Sequence, residues 1–406
     1  MSTVLSQPEG PDETERRRQG VPWPPDTTAG SVLHRFANYS ATAPTFPSIA
    51  RIYFASIAIT YVPLLLAAVF SGLPLWTTAP KFSDISLPFL RDWNIAFAFL
   101  ISFPALVVLL VTDDHVLFTS LRHVLKHRVI SIPEAGLVEV SNWCKTWFRM
   151  INIGAQSLGV GIGLVFGCAT LNMYFSHPVG FWIVSNHHLL RVGYVYLYCI
   201  VLLYALITIY VLRCIAISVF LNKVVAHATI HMLPFHPDMC GGLSPVGQLG
   251  LRNQYTLSIL GLNIVILAWV SISKLLNSPS LHHLIAASVV AYLILGPIVF
   301  MVPLLPFRKG MLQTKDEWMS DVAQRLRNDF ERLRAQIQTS QITKEDEDLV
   351  DRLRKIGSVI GELPVWPFDA RTLRQFARAY VVPLVPLGFP QVGKALTATV
   401  RWLIGQ

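Results

Sequence analysis

Apolar residues fall into six long runs, at about 53–75, 93–112, 152–174, 192–213, 254–274 and 284–305, separated by shorter polar stretches. About 20 consecutive apolar residues cross a bilayer as a helix. The pattern therefore predicts an all-α polytopic membrane protein with a six-helix transmembrane bundle. Pro63, Pro104 and Pro297 lie inside these runs, where neighbouring helices can satisfy the backbone groups that a kink releases. Residues 1–50 are polar and rich in Pro, Ser and Thr, and are predicted to form a disordered cytoplasmic arm. They lack the basic-then-apolar order of a signal peptide, which leaves the first span to direct insertion.

Past Pro306 the period changes. Val322, Leu326, Phe330, Leu333 and Ile337 recur at three- and four-residue steps, and Leu349, Leu353, Ile356 and Ile360 repeat the pattern after a link at 339–343. This spacing predicts an antiparallel helical hairpin, or a coiled coil if the chain oligomerises. Asp369 is placed to cap a helix over 370–382. Residues 381–390 are apolar but interrupted by Pro383, Pro386 and Pro390, too short to span, and 391–404 carries a last stripe of Val392, Leu396, Val400 and Leu403. Residues 307–406 thus read as a cytoplasmic helical hairpin with an amphipathic tail.

Composition agrees with lipid as a solvent. The 406 residues are 53% hydrophobic and 14% charged, with a mean hydropathy of +0.49, which excludes an ordinary soluble domain. The net charge of +9 is accounted for by topology, so nucleic acid is not expected as a partner. Lys and Arg concentrate in the arm, in the loop at 113–151 (Arg122, Lys126, Arg128, Lys145, Arg149), near Lys223 and Arg252, and from Arg308 onward. The positive-inside rule then places both termini, the 113–151 loop and the 227–247 stretch in the cytoplasm of an integral cell membrane protein, the inner membrane if bacterial. The 113–151 loop is predicted to hold two short helices. One begins after Asp113-Asp114, and the other follows Pro133, with Leu137, Val140, Cys144, Trp147 and Phe148 lying on the membrane interface. Five cysteines show no paired spacing and no metal motif.

None of the six runs contains Asp or Glu, which argues against an ion-coupled pump, since such transporters hold cations at intramembrane carboxylates. Arg213 is the one clear basic residue in an apolar run and is expected to snorkel to the interface. Gly159, Gly163 and Gly167 put small residues on one face of the third span, which predicts close helix packing within the bundle, with a homo-oligomer seam or a pore-lining face as the alternatives.

The polar chemistry concentrates at 227–247, HATIHMLPFHPDMCGGLSPVG. His227 and His231 would share one face if the fourth helix continues that far, and His236 and Asp238 follow. Together they form a candidate divalent-metal set, as does the HxxxH of His123 and His127 in the other loop. The competing reading is interfacial and structural histidines, with no cofactor. The multi-histidine membrane oxygenases are similar in having HxxxH but also need HxxHH boxes. Here His187-His188 and His282-His283 have Val184 and Pro279 where the preceding histidine belongs. The segment from His236 to Gly247 resembles an HPDxxGGLxPxG cytoplasmic loop of uncharacterised prokaryotic multipass membrane proteins, a resemblance that implies no activity. Physically, Pro237 and Pro245 stop helices, Asp238 can bind backbone amides, and Gly241-Gly242 permits positive φ. His236, Asp238, Gly241 and Gly242 are therefore the candidate ligand or gating residues. Three readings of function remain open. They are an oligomeric channel or signalling protein gated from the cytoplasmic side, a cytoplasmic-face metalloenzyme acting on lipid, and a membrane-anchored interaction scaffold.

Overall fold

The computed structural model describes residues 45–73, 75–76, 88–175, 182–185, 188–233, 236–270, 279–338 and 344–388. The predicted arm up to residue 44, the link at 339–343 and the stripe at 391–404 lie outside them. The described chain is all-α apart from two short ribbons. In order it runs α1 (Phe46–Phe70), α2 (Trp93–Lys126), β1 (Ile130–Ser131), α3 (Glu134–Phe175), β2 (Val184–Ser185) and β3 (His188–Leu189). It continues with α4 (Arg191–Ala226), β4 (Thr229–Ile230), α5 (Ser244–Val270), α6 (Pro279–Met301), α7 (Leu305–Gln338), α8 (Lys344–Glu362) and α9 (Ala370–Val381). A 3-10 segment, Val382–Gly388, follows.

Among the described residues, five helical stretches are long and apolar enough to cross a membrane: Phe46–Phe70, Trp93–Lys126, Glu134–Asn172, Arg191–Ala226 and Ile285–Glu331. The run predicted as the fifth of six spans, 254–274, falls on α5, which is not among them. Arg252, Asn253, Gln254 and Asn263 dilute its apolar character, and the run ends in residues outside the described set.

Two apolar cores stack along the bundle. The larger joins Leu64 of α1, Phe99, Leu106 and Leu110 of α2, Cys199 and Leu206 of α4, Val265 of α5 and Val289 of α6. Trp182 closes its far end, its indole N–H donating to Asp92 Oδ2 at 3.2 Å. The same carboxylate caps α2 by accepting from the amide of Ile95. The smaller core gathers the opposite ends of the helices: Leu121 and Val124, Val140 and Phe148, Phe220 and Val224, Leu243 and Val246, Phe300 and Phe307.

Both helices predicted inside the 113–151 loop belong to longer ones. Asp113-Asp114 does not open a new helix, because α2 continues straight through to Lys126. The interfacial helix is the first part of α3, and Val140, Cys144 and Phe148 are fully buried in the smaller core instead of facing lipid. These apolar positions find protein partners because α3 lies along α4 for most of its length. Gly159 and Gly163 make that approach possible. A Cβ on Gly159 would stand 2.9 Å from the Ala205 carbonyl oxygen, and one on Gly163 only 2.5 Å from that of Val201. Gly167 meets Leu197 instead, and Gly161 faces open space.

Helix α7 packs against α8, with Lys315 Nζ donating to the Gly361 and Leu363 carbonyls near the end of α8. Phe330, Leu349 and Ile356 of the predicted stripe are exposed. The tail does not remain apart from the bundle. Asp369 caps α9 through the Thr372 amide, and α9 and the 3-10 segment lie along α5. Phe376 stacks on Phe300 at 4.3 Å, and Tyr380 on Tyr292 at 5.6 Å. The Tyr380 hydroxyl donates to the Leu293 carbonyl and the Ser258 hydroxyl to that of Ala379. In the apolar stretch that begins at 381, too short to span by itself, Pro383 is buried and Leu384 half-buried, while Val381, Val382 and Val385 stay exposed.

Gly163→Val should lower the thermal unfolding midpoint of the detergent-purified protein, by the equivalent of about 1–3 kcal/mol for an overpacked contact. Gly161→Ala should leave it unchanged or raise it slightly, since alanine is the better helix former. Equal losses in both variants would remove the packing role assigned to Gly163.

Candidate functional site

The 227–247 stretch is an elbow between α4 and α5, and its shape follows from one carboxylate. Asp238 Oδ1 accepts from the amides of Cys240 at 2.9 Å and Gly242 at 3.0 Å, and Oδ2 accepts from Ser244 at 3.1 Å. His236 Nδ1 lies 2.7 Å from Oδ1. A carboxylate surrounded by donors folds the chain around itself and satisfies the first amide of α5. Gathering three amides on one side chain requires left-handed backbone, found at Met239 (φ 54), Gly241 (φ 64) and Gly242 (φ 91). A Cβ on Gly242 would also stand 2.5 Å from Val129 Cγ2, so glycine is needed there for space as well as for φ. Burial pushes the Asp238 carboxyl up, but the three amides and His236 outweigh it and hold its pKa below the ordinary 3.8. The neighbouring Cys240 thiol is pushed up to about 12 by burial and by the Asp238 and Asp369 charges, so it is a neutral apolar filler at physiological pH.

The predicted metal set is distributed over three places. Helix α4 ends at Ala226, so His227 and His231 do not share a helix face. The His227 ring sits between the Lys223 carbonyl, 3.0 Å from Nδ1, and the Glu139 carboxylate, 3.2 Å from Nε2. Beyond it, Thr229 and Ile230 pair with Ser131 and Ile130 as an antiparallel ribbon, and His231 Nε2 stands 3.0 Å from Ser131 Oγ. His236 alone joins Asp238. Among the described residues no group of three His, Cys, Asp or Glu side chains is arranged to hold a metal ion. The chain turns into the β1–β4 ribbon at His227, and this is what defeats the helical spacing. The imidazoles of His123 and His127 lie against each other, centroids 4.4 Å apart.

What the elbow does assemble is an open cleft of about 390 Å³ lined by Ser120, His123, His236, Asp238, Ser244, Pro245 and Gln248. It lies between the end of α2 and the start of α5. The other wall of the elbow receives the tail. A Cβ on Gly247 would stand 2.5 Å from the Pro367 carbonyl oxygen and 2.9 Å from Phe368 Cβ, while Gln248 Nε2 reaches Thr372 Oγ1 at 3.4 Å. Arg308 lies 4.6 Å over the Trp366 ring. The Gly and Leu positions of the HPDxxGGLxPxG pattern thus have separate jobs: left-handed turn, core anchor at the fully buried Leu243, and a seat for residues 367–368.

Below the cleft lies a buried ionic cluster. Arg213 of α4, 4% exposed, pairs through Nη2 with Asp114 Oδ1 and through Nε with Asp113 Oδ2 at 3.5 Å. Arg252 of α5 approaches Asp113 Oδ1 at 3.4 Å and donates to the Leu109 carbonyl at 2.8 Å and to Thr112 Oγ1. Arg213 therefore does not snorkel; it is desolvated and neutralised inside the bundle. Ser120, Gln248 and this cluster escape a reading by motif, because their partners are separated by about a hundred residues or more. The available signal was physical: a lone arginine in an apolar run implies a nearby counter-charge.

No protein-family model matches the chain, and neither a curated protein nor a solved structure matches it.

Because the Asp238 pKa is lower folded than unfolded, its stabilisation is complete above pH 3.8 and is lost as pH falls through the folded value. Asp238→Ala should cost about 2–3 kcal/mol at neutral pH through the loss of charge-assisted bonds to amides. It should also flatten the acid limb of a midpoint-versus-pH series measured by thermal unfolding. An unchanged acid limb would rule out Asp238 as the organiser of the elbow.

Proposed function

We propose that this chain is an oligomeric channel or transducing protein of a cell membrane, gated at the end of the bundle that carries the elbow. The proposal takes the described α5 and its continuation as a sixth span, and puts both termini and the cleft in the cytoplasm on the basic residues of the loops. The observation that carries it is the position of the elbow. One 21-residue stretch pairs with the α2–α3 connection through β4, begins α5, lines an open cleft, and seats the tail at Gly247. A ligand in the cleft or a shift of the tail would therefore act directly on α2 and α5. These two helices also carry Asp113 and Arg252 of the buried cluster. Two packed arrangements of such a junction, biased by ligand or tail, constitute a switch.

The tail clamp offers the test. Phe376→Ala and Tyr380→Ala remove rings stacked on Phe300 and Tyr292. In protein reconstituted into planar bilayers, wild type should show conductance, and the double variant should shift its open probability while remaining folded. A monodisperse monomer, silent in wild type and variant alike, would sink the channel reading. Stoichiometric iron or zinc in purified protein, lost with His236→Ala, would replace it with the metalloenzyme.

A further inference from the structure

The tail runs inward along the bundle from the elbow end. Arg308 lies over Trp366, while Phe368 and Phe376 pack on Phe300 and against the smaller core. Arg308 is also the first charged residue after the apolar run of α6, so it marks where that chain leaves lipid. Tyr380 sits deeper. It stacks on Tyr292, and its ring fills the space that a Cβ on Gly296 would need. Gly296 is twelve residues before Arg308, about 18 Å along a helix. Beyond Tyr380, Leu384 packs against the larger core. The chain from Ala370 to Gly388 therefore passes from the edge of the membrane-spanning bundle towards its middle.

At the same levels α6 exposes Leu293, Ile294, Ile298 and Val302, an apolar belt suited to lipid. The outward face of the tail continues that belt. Leu373, Ala377 and Val381 follow at four-residue steps along α9, then Val382 and Val385, and all five are exposed. Beside them Arg371, Arg374 and Arg378, also exposed, form a second row at three- and four-residue steps. The outward face is thus divided lengthwise into an apolar edge and a basic edge, with Thr372 and Phe376 turned to the bundle behind it. No Asp or Glu occurs from 370 to 388, and the preceding Asp369 accepts from the Thr372 amide. Helix side chains tilt towards the N-terminus, which in α9 is the elbow end, so the guanidiniums reach back towards headgroups.

We infer that Ala370–Gly388 is a re-entrant segment that enters the elbow-side leaflet along α5 and α6 and holds an anionic phospholipid. The lipid phosphate lies on the arginine row, and its acyl chains cover Leu373, Val381, Val382 and Val385. Guanidinium suits this ligand, because its planar fork binds two phosphate oxygens at once and keeps its charge when partly desolvated. A basic row beside an apolar row is the general form of a helix held at the headgroup boundary. The inference rests on the membrane-spanning reading of the long helices and not on conductance. It gives the tail, which the gating proposal sets in motion, a ligand of its own.

Two measurements on the full-length chain test it. Val382→Cys and Ile298→Cys are each made with Cys168→Ala, which removes the exposed native cysteine, and carry a fluorophore in nanodiscs. At both positions, lipids bearing a nitroxide on the acyl chain should quench, and aqueous iodide should not. Lipid quenching at Ile298 with iodide quenching at Val382 would overturn the insertion of the tail alone. Iodide quenching at both would overturn the membrane reading and this inference with it. The second measurement is the unfolding midpoint in detergent. Added phosphatidylglycerol should raise it, whereas phosphatidylcholine and inorganic phosphate should not. The rise should be mostly lost in Arg371→Gln/Arg374→Gln/Arg378→Gln and largely kept in Arg371→Lys/Arg374→Lys/Arg378→Lys. An equal rise in wild type and the glutamine variant would overturn the lipid site, and an equal rise with inorganic phosphate would overturn lipid as its ligand. A phosphatidylglycerol-specific rise in protein that shows no conductance would support the site while defeating the channel proposal, so the two fail separately.

Discussion

Three helices are held in register by charges that cannot leave the protein interior. Asp113 and Asp114 are consecutive on α2, and the guanidiniums that neutralise them come from α4 and α5. Breaking one partner of a buried ion pair leaves a desolvated charge, which is far costlier than losing an apolar contact. The cluster therefore fixes the rotation of α2, α4 and α5 about their own axes in a way that lipid-like side chains do not. Arg252 sets the depth of α5 relative to α2, and that depth brings Ser244 and Gln248 opposite Ser120 and His123 to shape the cleft.

The elbow takes over where the cluster ends. Asp238 uses a short carboxylate to collect amides that would otherwise be unsatisfied at the start of α5. Gly242 and Gly247 let Val129 on one side and Pro367–Phe368 on the other approach the backbone. The tail is then zipped along α6 by Phe368, Phe376 and Tyr380 against Phe300 and Tyr292. Cluster, cleft and tail seat thus sit within a few helical turns of α5, between Ser244 and Ser258, where the sequence is too polar to read as a plain span.

Much of this was legible as period and little as partnership. Apolar runs located the long helices because lipid and core demand the same residues. Gly159 and Gly163 spoke for close packing because only a missing Cβ lets backbones touch. The turn chemistry of Asp238, Gly241 and Gly242 was also readable, since local hydrogen bonds and positive φ leave local signatures. Three errors share a cause. The helix break at Asp113-Asp114, the interfacial face of Leu137 to Phe148, and the snorkelling Arg213 were all inferred from neighbours in sequence. In each case the deciding partner is remote: Arg213 and Arg252 for the carboxylates, Phe220 for Phe148, α2 for the arginine. The HxxxH spacing of His227 failed for the same reason, because pairing with Ile130 and Ser131 ends the helix first.

The account stands on the charge cluster, and a double-mutant cycle tests it most directly. Unfolding free energies of wild type, Asp113→Leu, Arg252→Met and the double variant, measured in one detergent, give the coupling between the two side chains. The account predicts that each single change is strongly destabilising, that the double variant recovers much of the loss, and that the coupling is of order 2 kcal/mol or more. Additive losses with no coupling would mean that α2 and α5 are held by apolar packing alone, and would contradict the register assigned here to both helices.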